Sequence, residues 1–343
     1  MRKYLMNAFG VALVAMCIAI TACVVFAEKI PHGVKPTVNT DIVSINEGVF
    51  ANGKYKIAYA NWNDQNSFSI LVRDSVSAAC KFYGVELMTL DNKQDPAQAV
   101  INVDNAIQAE VNYYLQYNQD NTVNAKMAEK LEGLGIPTIA IQTKARDGVD
   151  SEYVVDNKKT GSIGGELLVA TAAKRWPNEK VILFVAGHPE SGPTFIERAN
   201  GCIDAVKAAI PSIEIFEIST DGNPEVTRQK TADFLTANPV GKVMMWCHID
   251  QNTMGMLGAV KASGRQQDVI IASVGGNPVV FEELKREDSP IIGSVAHFPE
   301  RWGWDLLPLI LNHLNDGQKP PMRFTPPLDI LTRENLNKYY PDA

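Results

Sequence analysis

Six short stretches of this 343-residue chain concentrate amide and carboxylate side chains. They are Asn61-Trp62-Asn63-Asp64-Gln65-Asn66, Asn118-Gln119-Asp120-Asn121, Gln142-Thr143, Asp221-Gly222-Asn223, His248-Ile249-Asp250-Gln251-Asn252 and Gly275-Gly276-Asn277. Amides and carboxylates present paired donors or acceptors at a fixed geometry, which is the chemistry that holds hydroxyl groups. Taken alone, each stretch also reads as turn formers and helix N-caps, because Asn and Asp serve both purposes. Their recurrence after one apolar run after another tilts the set toward a binding site. Trp62 and Phe68 flank the first stretch, where an aromatic face can stack on the C–H face of a sugar ring or polyol; packing in a core or lid is the competing role. Arg198 falls about one turn into a predicted helix, in Arg198-Ala199-Asn200-Gly201, placed either to reach a ligand or to form a surface salt bridge.

Other chemistries are excluded by what stands at the decisive positions. Gly187-His188-Pro189-Glu190-Ser191-Gly192-Pro193-Thr194 has the glycine spacing of a phosphate-binding loop between a strand and a helix. Pro193 occupies the place of the lysine that neutralises the outer phosphates, and it removes a backbone donor, so an NTPase is rejected. The helix N-terminus there still offers N–H groups to a ligand. The histidines His32, His188, His248, His297 and His313 are scattered, without a His-Glu-x-x-His arrangement. A loop turn explains the His248–Asp250 pair better than a metal site does. With no Gly-x-Ser-x-Gly elbow either, no base and nucleophile can be assembled, and no metal or cofactor is implied. The chain reads as a binding protein rather than an enzyme.

The elements that must position these loops follow from periodicity. Lys56–Ala60 reads as a buried strand, and Ser67–Tyr83 carries apolar residues at helical spacing up to the stop at Gly84. The cycle repeats in Val85–Leu90 with Pro96–Gln108, in Val111–Tyr117 with Thr122–Leu134, and in Pro137–Ile141. A second series runs from strand Tyr153–Val155 and helix Thr160–Lys174 through strands at Val181–Val185, Ile213–Ile218, Lys242–Trp246 and Val269–Val274. Helices Phe195–Ala209, Pro224–Leu235 and Asn252–Ala262 alternate with them. Strand Ile291–Ala296, helix Trp302–Leu314 and a Pro-rich return from Lys319 to Pro327 close the chain. Strand and helix in alternation mean parallel sheets with helices on both faces, here as two doubly wound, Rossmann-like α/β domains with a cleft between them. In such sheets ligands bind beyond the carboxyl ends of the strands, where the amide-rich loops stand.

Bulk properties agree. Arg2 and Lys3, the apolar run from Val11 to Val25, and Val25-Phe26-Ala27 before Glu28 read as a signal peptide over residues 1–27; Cys23, after Ile20-Thr21-Ala22, offers a lipid-anchored alternative. Residues 28–53 form an extended lead-in. Loss of the leader leaves 30 basic against 39 acidic residues, a formal −9 that opposes nucleic acid and anionic membrane as partners. Cys80, Cys202 and Cys247 remain in apolar or helical stretches and read as buried thiols, with one disulfide as the alternative in an exported chain.

Several segments, in order, resemble the ribose-binding-like branch of the type I periplasmic solute-binding proteins over residues 54–343. Asn66-Ser67-Phe68-Ser69 stands where that family often has Asn-Pro-Phe-Phe, and Asp91-Asn92-Lys93-Gln94-Asp95-Pro96-Ala97 is similar to its Asp-x-x-x-Asn/Asp-Pro-Ala turn. Tyr117-Asn118-Gln119, Gly135-Ile136-Pro137, Asp156-Asn157 with Gly161, and Arg198-x-x-Gly201 match further family segments. The resemblance implies ligand contacts at Asn66, Phe68, Asn118, Arg198 and Asn252, with Asp250 as the alternative to Asn252, and puts His297 where sugar binders often have Gln. Trp62, Gln142 and Asn223 complete the candidate set. Gln142-Thr143 replaces a family Asp-Arg, and Val274-Gly275-Gly276 replaces a Gly-Phe-Asp turn, so two hydroxyl-gripping carboxylates are missing.

By that resemblance one lobe comprises residues 54–155 and 298–327, the other 156–297 and 328–343, joined by a three-stranded hinge near Val155-Asp156, Ala296-His297 and Pro326-Pro327. The expected function is that of an extracytoplasmic, monomeric solute-binding protein. It would close on a monosaccharide, polyol or related hydroxylated molecule and pass it to an ABC permease and its ATPase. A receptor serving chemotaxis or a sensor kinase is the alternative.

Overall fold

The computed structural model describes residues 51–342 apart from 52, 145 and 147, so the expected leader, Cys23 and nearly all of the lead-in lie outside the described residues. The chain enters its first sheet through β1 (Lys56–Asn61), whose residues from Ile57 to Ala60 are wholly buried, as suits a parallel strand covered on both faces. α1 (Ser67–Tyr83) follows; the Asn66 side chain accepts from Ser69 N at its start, and Gly84, at φ +71°, ends it. β2 (Glu86–Asp91), α2 (Pro96–Gln108), β3 (Tyr113–Gln116), α3 (Asn121–Glu132), β4 (Thr138–Ile141) and β5 (Ser151–Tyr153) complete this series.

The second series is α4 (Asn157–Arg175), β6 (Val181–Gly187), α5 (Pro193–Ala209), β7 (Glu214–Ser219), α6 (Pro224–Ala237), β8 (Lys242–Cys247), α7 (Asp250–Ala262), β9 (Val269–Gly275), α8 (Phe281–Lys285) and β10 (Ile291–Ala296). α9 (Trp302–Asp316) then packs back on α1, with Ser75 Oγ donating to the Glu300 carbonyl at 2.7 Å and accepting from Gly303 N at 3.0 Å. β11 (Arg323–Phe324), β12 (Asp329–Leu331) and α10 (Leu336–Tyr339) finish the chain.

The first sheet has the order β11-β5-β4-β3-β1-β2, all parallel. The second runs β12-β10-β9-β8-β6-β7, parallel except for antiparallel β12. The chain therefore passes between sheets after β5, after β10 and between β11 and β12. In each sheet the strand order reverses once, between β1 and β3 and between β6 and β8, and the loops leaving those strands diverge to open a crevice.

Several element ends differ from the sequence reading. β5 ends at Tyr153 because its pairs, Ile139 with Ser151 and Ile141 with Tyr153, use up β4; Val154 and Val155 already belong to the crossing. α4 begins at Asn157 because Asp156 caps Lys159 N, and α7 begins at Asp250. β11, β12, α8 and α10 are too short to show a period and are held by tertiary contacts. Cys80, Cys202 and Cys247 are buried and free.

α4 and α5 touch backbone to backbone. A Cβ on Gly161 would lie 1.9 Å from the Arg198 carbonyl oxygen, and one on Gly201 would lie 2.1 Å from the Lys158 carbonyl oxygen. Gly161→Ala should therefore push the helices apart, lowering stability by at least about 1–3 kcal/mol in denaturant unfolding. An unchanged midpoint would mean that the helices do not approach this closely.

Glu300 sits in the turn that follows the second crossing, 7% exposed, with Tyr340 Oη donating to Oε2 at 3.4 Å and Oε1 without a partner among the described residues. Burial pushes its pKa up to about 7. An acid raised on folding holds more protons folded than unfolded between about pH 4.3 and its folded value. Its contribution to stability is thus greatest in acid and is lost as the pH rises through 7. Glu300→Gln should raise the Tm above wild type at pH 8, and the gain should shrink steadily as the pH falls towards 4 in calorimetric scans; a gain independent of pH would contradict a carboxyl buried in its neutral form.

Candidate functional site

Between the two sheets the diverging loops enclose a cavity of about 250 Å³, at the small end of ligand sites. From the first sheet it receives Trp62, Gln65, Asn66 and Phe68 after β1, Tyr117 and Gln119 after β3, and Gln142 after β4. Trp62 stacks on Tyr117 with ring centroids 6.3 Å apart and planes 30° apart, forming one aromatic wall. Phe68 sets its edge against Trp302 at 5.3 Å and His297 at 6.0 Å, forming a second. Gln142 turns into the cleft from a left-handed backbone at φ +58°, its N–H fixed to the Tyr153 carbonyl at 2.9 Å.

The wall from the second sheet carries the charges. Arg198 is 6% exposed, and its Nε and Nη2 donate to Asn157 Oδ1 at 3.1 and 2.7 Å, while Nη1 donates to the His248 carbonyl at 3.0 Å. No ion pair to it is formed among the described residues, so the surface salt bridge considered from sequence is replaced by a buried cation. Burial pulls its pKa down to about 10, with the nearby Tyr117 phenol opposing. Asp250 opens α7; its Oδ1 accepts from the hydroxyls of Ser273 and, at 2.7 Å, Ser294, and its Oδ2 accepts from Asn277 N at 2.7 Å. Burial pushes this carboxyl up to about 6 despite those bonds. Gly275, at φ +136°, has no side chain to compete: a Cβ there would lie 2.8 Å from Asp250 Oδ2. The turn after β9 carries no carboxylate of its own, and Asp250 of α7 lies against the space beside Gly275.

Three imidazoles complete this wall. His248 Nε2 meets Thr220 Oγ1 at 2.8 Å and Asn252 Nδ2 at 3.0 Å. His297 Nε2 meets Thr160 Oγ1 at 3.3 Å, and its carbonyl accepts from Trp302 Nε1 at 2.8 Å. Burial, then the charge of Arg198, holds both rings well below the ordinary histidine range, so they are neutral in the physiological range. His188 packs against both Phe195 and His248, and its pKa is also lowered by burial.

Trp62, Asn66, Phe68, Gln142, Arg198, Asp250 and His297 are therefore brought together, and three candidates are not. Asn118 is buried beneath the loop, clasping Asn124 through Nδ2–Oδ1 at 2.9 Å and receiving Asn124 Nδ2 on its carbonyl at 2.7 Å; Tyr117 and Gln119 face the cleft instead. Asn223 is the N-cap of α6, its side chain accepting from Glu225 N at 2.8 Å. Asn252 is fully buried behind His248 and supports that ring, leaving the cleft to Asp250. Sequence reasoning placed His188, Gln119, Gln251 and Asn277 in the right loops without separating them from their neighbours, and read Phe195 only as the start of a helix.

Among the described residues two hydrogen bonds cross the mouth: Asn66 Nδ2 donates to Gln251 Oε1 at 3.2 Å, and Asn277 Nδ2 donates to Ser67 Oγ at 2.8 Å. A polar cavity reached from two lobes and closed over by both is the design of a two-lobed solute-binding protein. Residues 57–319 match the family model described as "Periplasmic binding protein domain", and the chain belongs to that family. The ribose import binding protein RbsB of Bacillus subtilis (strain 168) is 23% identical over 282 residues, covering 78% of this chain and 84% of the relative. Among solved structures, a Caulobacter myo-inositol binding protein bound to myo-inositol superposes with a TM-score of 0.72 at 18% identity, covering 85% of this chain and 97% of that one. An ABC transporter periplasmic solute binding protein from Actinobacillus succinogenes 130z with bound D-allose gives 0.74 at 20% identity, covering 83% and 100%.

The mouth contacts can be separated by mutation. Asn66→Ala removes a helix cap and a cross-lobe bond, and should cost about 0.5–2 kcal/mol. Gln251→Ala removes only the bond and should change stability by less than about 0.5 kcal/mol. Both should increase the radius of gyration in solution scattering; unchanged dimensions in both would mean that this bridge does not hold the mouth.

Proposed function

We propose that this chain is the extracytoplasmic solute-binding protein of an ABC importer. It captures a monosaccharide, polyol or related small hydroxylated molecule by hinge closure and delivers it to the permease and its ATPase. The observation that carries the reading is a cleft lined with amides from both lobes, with a buried arginine on one wall and a stacked aromatic pair on the other. Amides and neutral imidazoles offer the donors and acceptors that hydroxyls need, and the Trp62–Tyr117 wall suits the C–H face of a ring. The ribose import of one relative and the bound myo-inositol and D-allose of two structural neighbours support the same solute class.

Closure would use the three crossings as hinge strands, near Val155-Asp156, near Ala296-His297 and around Pro326-Pro327, with lobes of residues 54–155 plus 298–327 and 156–297 plus 328–343. The protein acts as a monomer, processed before Glu28 or anchored through Cys23. Its solute should raise the Tm with concentration, adding about 2.7 kcal/mol at a hundredfold excess over Kd, and should be recovered chemically unchanged. Scattering should show a smaller molecule at saturation. Solute converted at a rate proportional to protein concentration would end this reading.

A further inference from the structure

We infer that the solute carries a carboxylate, as a sugar acid does, and that this carboxylate sits against Arg198 and the ring of His248. The inference rests on the reading of the cleft as a solute site and narrows its ligand. Among the described residues the buried Arg198 guanidinium has only neutral hydrogen-bond acceptors, the Asn157 amide oxygen and the His248 carbonyl. Three of its five N–H groups are engaged there, which leaves one on each Nη for a ligand. A buried charge without a counter-charge is costly, and a hydroxyl satisfies the donors without balancing the charge; a carboxylate does both, through two parallel charge-assisted bonds.

A second group points the same way. His248 lines the cleft at 1% exposure, with Nε2 engaged by Thr220 and Asn252 and with Nδ1 lacking any partner among the described residues. With the Asn252 amide donating to Nε2, the ring proton sits on Nδ1 and becomes a third donor beside the guanidinium, whose charge is felt at both His248 and His297. Asp250, the one carboxylate among the described residues that line the cavity, belongs to the other side of the wall. It is tied to Ser273 of β9, Ser294 of β10 and Asn277 N, and makes no ion pair with Arg198. Gln142 and Thr143, at the end of β4, add no charge.

The test is calorimetry and thermal shift at pH 7.5 on the purified protein with matched pairs: D-galactose and D-galacturonate, D-glucose with D-glucuronate and D-gluconate, D-ribose and D-ribonate. At least one acid should raise the Tm and bind ten times or more tightly than its neutral counterpart. Arg198→Gln should weaken that acid at least tenfold and remove the preference; the wild-type comparison decides even if this variant does not fold. Neutral sugars bound as tightly as their acids, or more tightly, overturn the inference and leave the solute-binding reading intact. A panel in which neither kind shifts the Tm counts against both.

Discussion

The guanidinium of Arg198 is held on one edge by Asn157, at the first turn of α4, and on another by the carbonyl of His248, at the end of β8. Those two anchors belong to elements that meet only because the second sheet is assembled and the chain has crossed over after β5. Gly161 and Gly201 let α4 and α5 approach closely enough for the short Asn157 side chain to reach a residue on the neighbouring helix. Most of what the cleft presents depends on this contact. Phe195 packs against the guanidinium at 5.2 Å, His248 packs against Phe195, and His188 against both rings. A displaced α5 would move the cation and one aromatic–imidazole wall together.

On the other side of that wall a carboxylate fills the room that a glycine leaves open. Gly275 ends β9 without a side chain, and Asp250, from the first turn of the preceding helix, brings a carboxylate into the room left open. Two serine hydroxyls and a backbone N–H hold it there. A helix N-terminus favours a negative charge, yet burial outweighs these bonds and raises the pKa. The carboxyl is therefore poised between neutral and charged forms in mildly acidic solution.

The alternation of strands and helices was legible because central parallel strands such as β6, β8 and β9 are nearly continuous apolar runs and helices such as α1 have a buried stripe, here Val72, Val76, Ala79, Cys80 and Tyr83. The loops that form the cleft were legible for the same reason, since they are what remains between the runs. Which residue in a loop faces the cleft was not. Asn66 serves as helix cap and cleft residue at once, whereas Asn223 has the same sequence signature and is only a cap. Asn118 and Asn252 are spent on Asn124 and His248, partners 6 and 4 residues away whose position depends on how each loop turns. Direction of this kind comes from backbone geometry after the strand, as the left-handed Gln142 illustrates, and composition carries no trace of it.

The two bonds across the mouth are neutral, part-buried pairs, and because water can replace either when the lobes part, each contributes no more than about 0.5 kcal/mol net, the low end of the usual range. They fix the register in which the lobes meet, Ser67 opposite Asn277 and Asn66 opposite Gln251, more than the strength with which they stay together. A solute that bonds both to the amides of the first lobe and to the buried charges of the second adds contacts that exist only in the closed arrangement. A ligand shifts a two-state equilibrium by its differential affinity alone. The strongest lever the cleft offers is therefore the group with the largest unmet electrostatic demand, the guanidinium of Arg198. Recognition and closure would then be driven by the same contact.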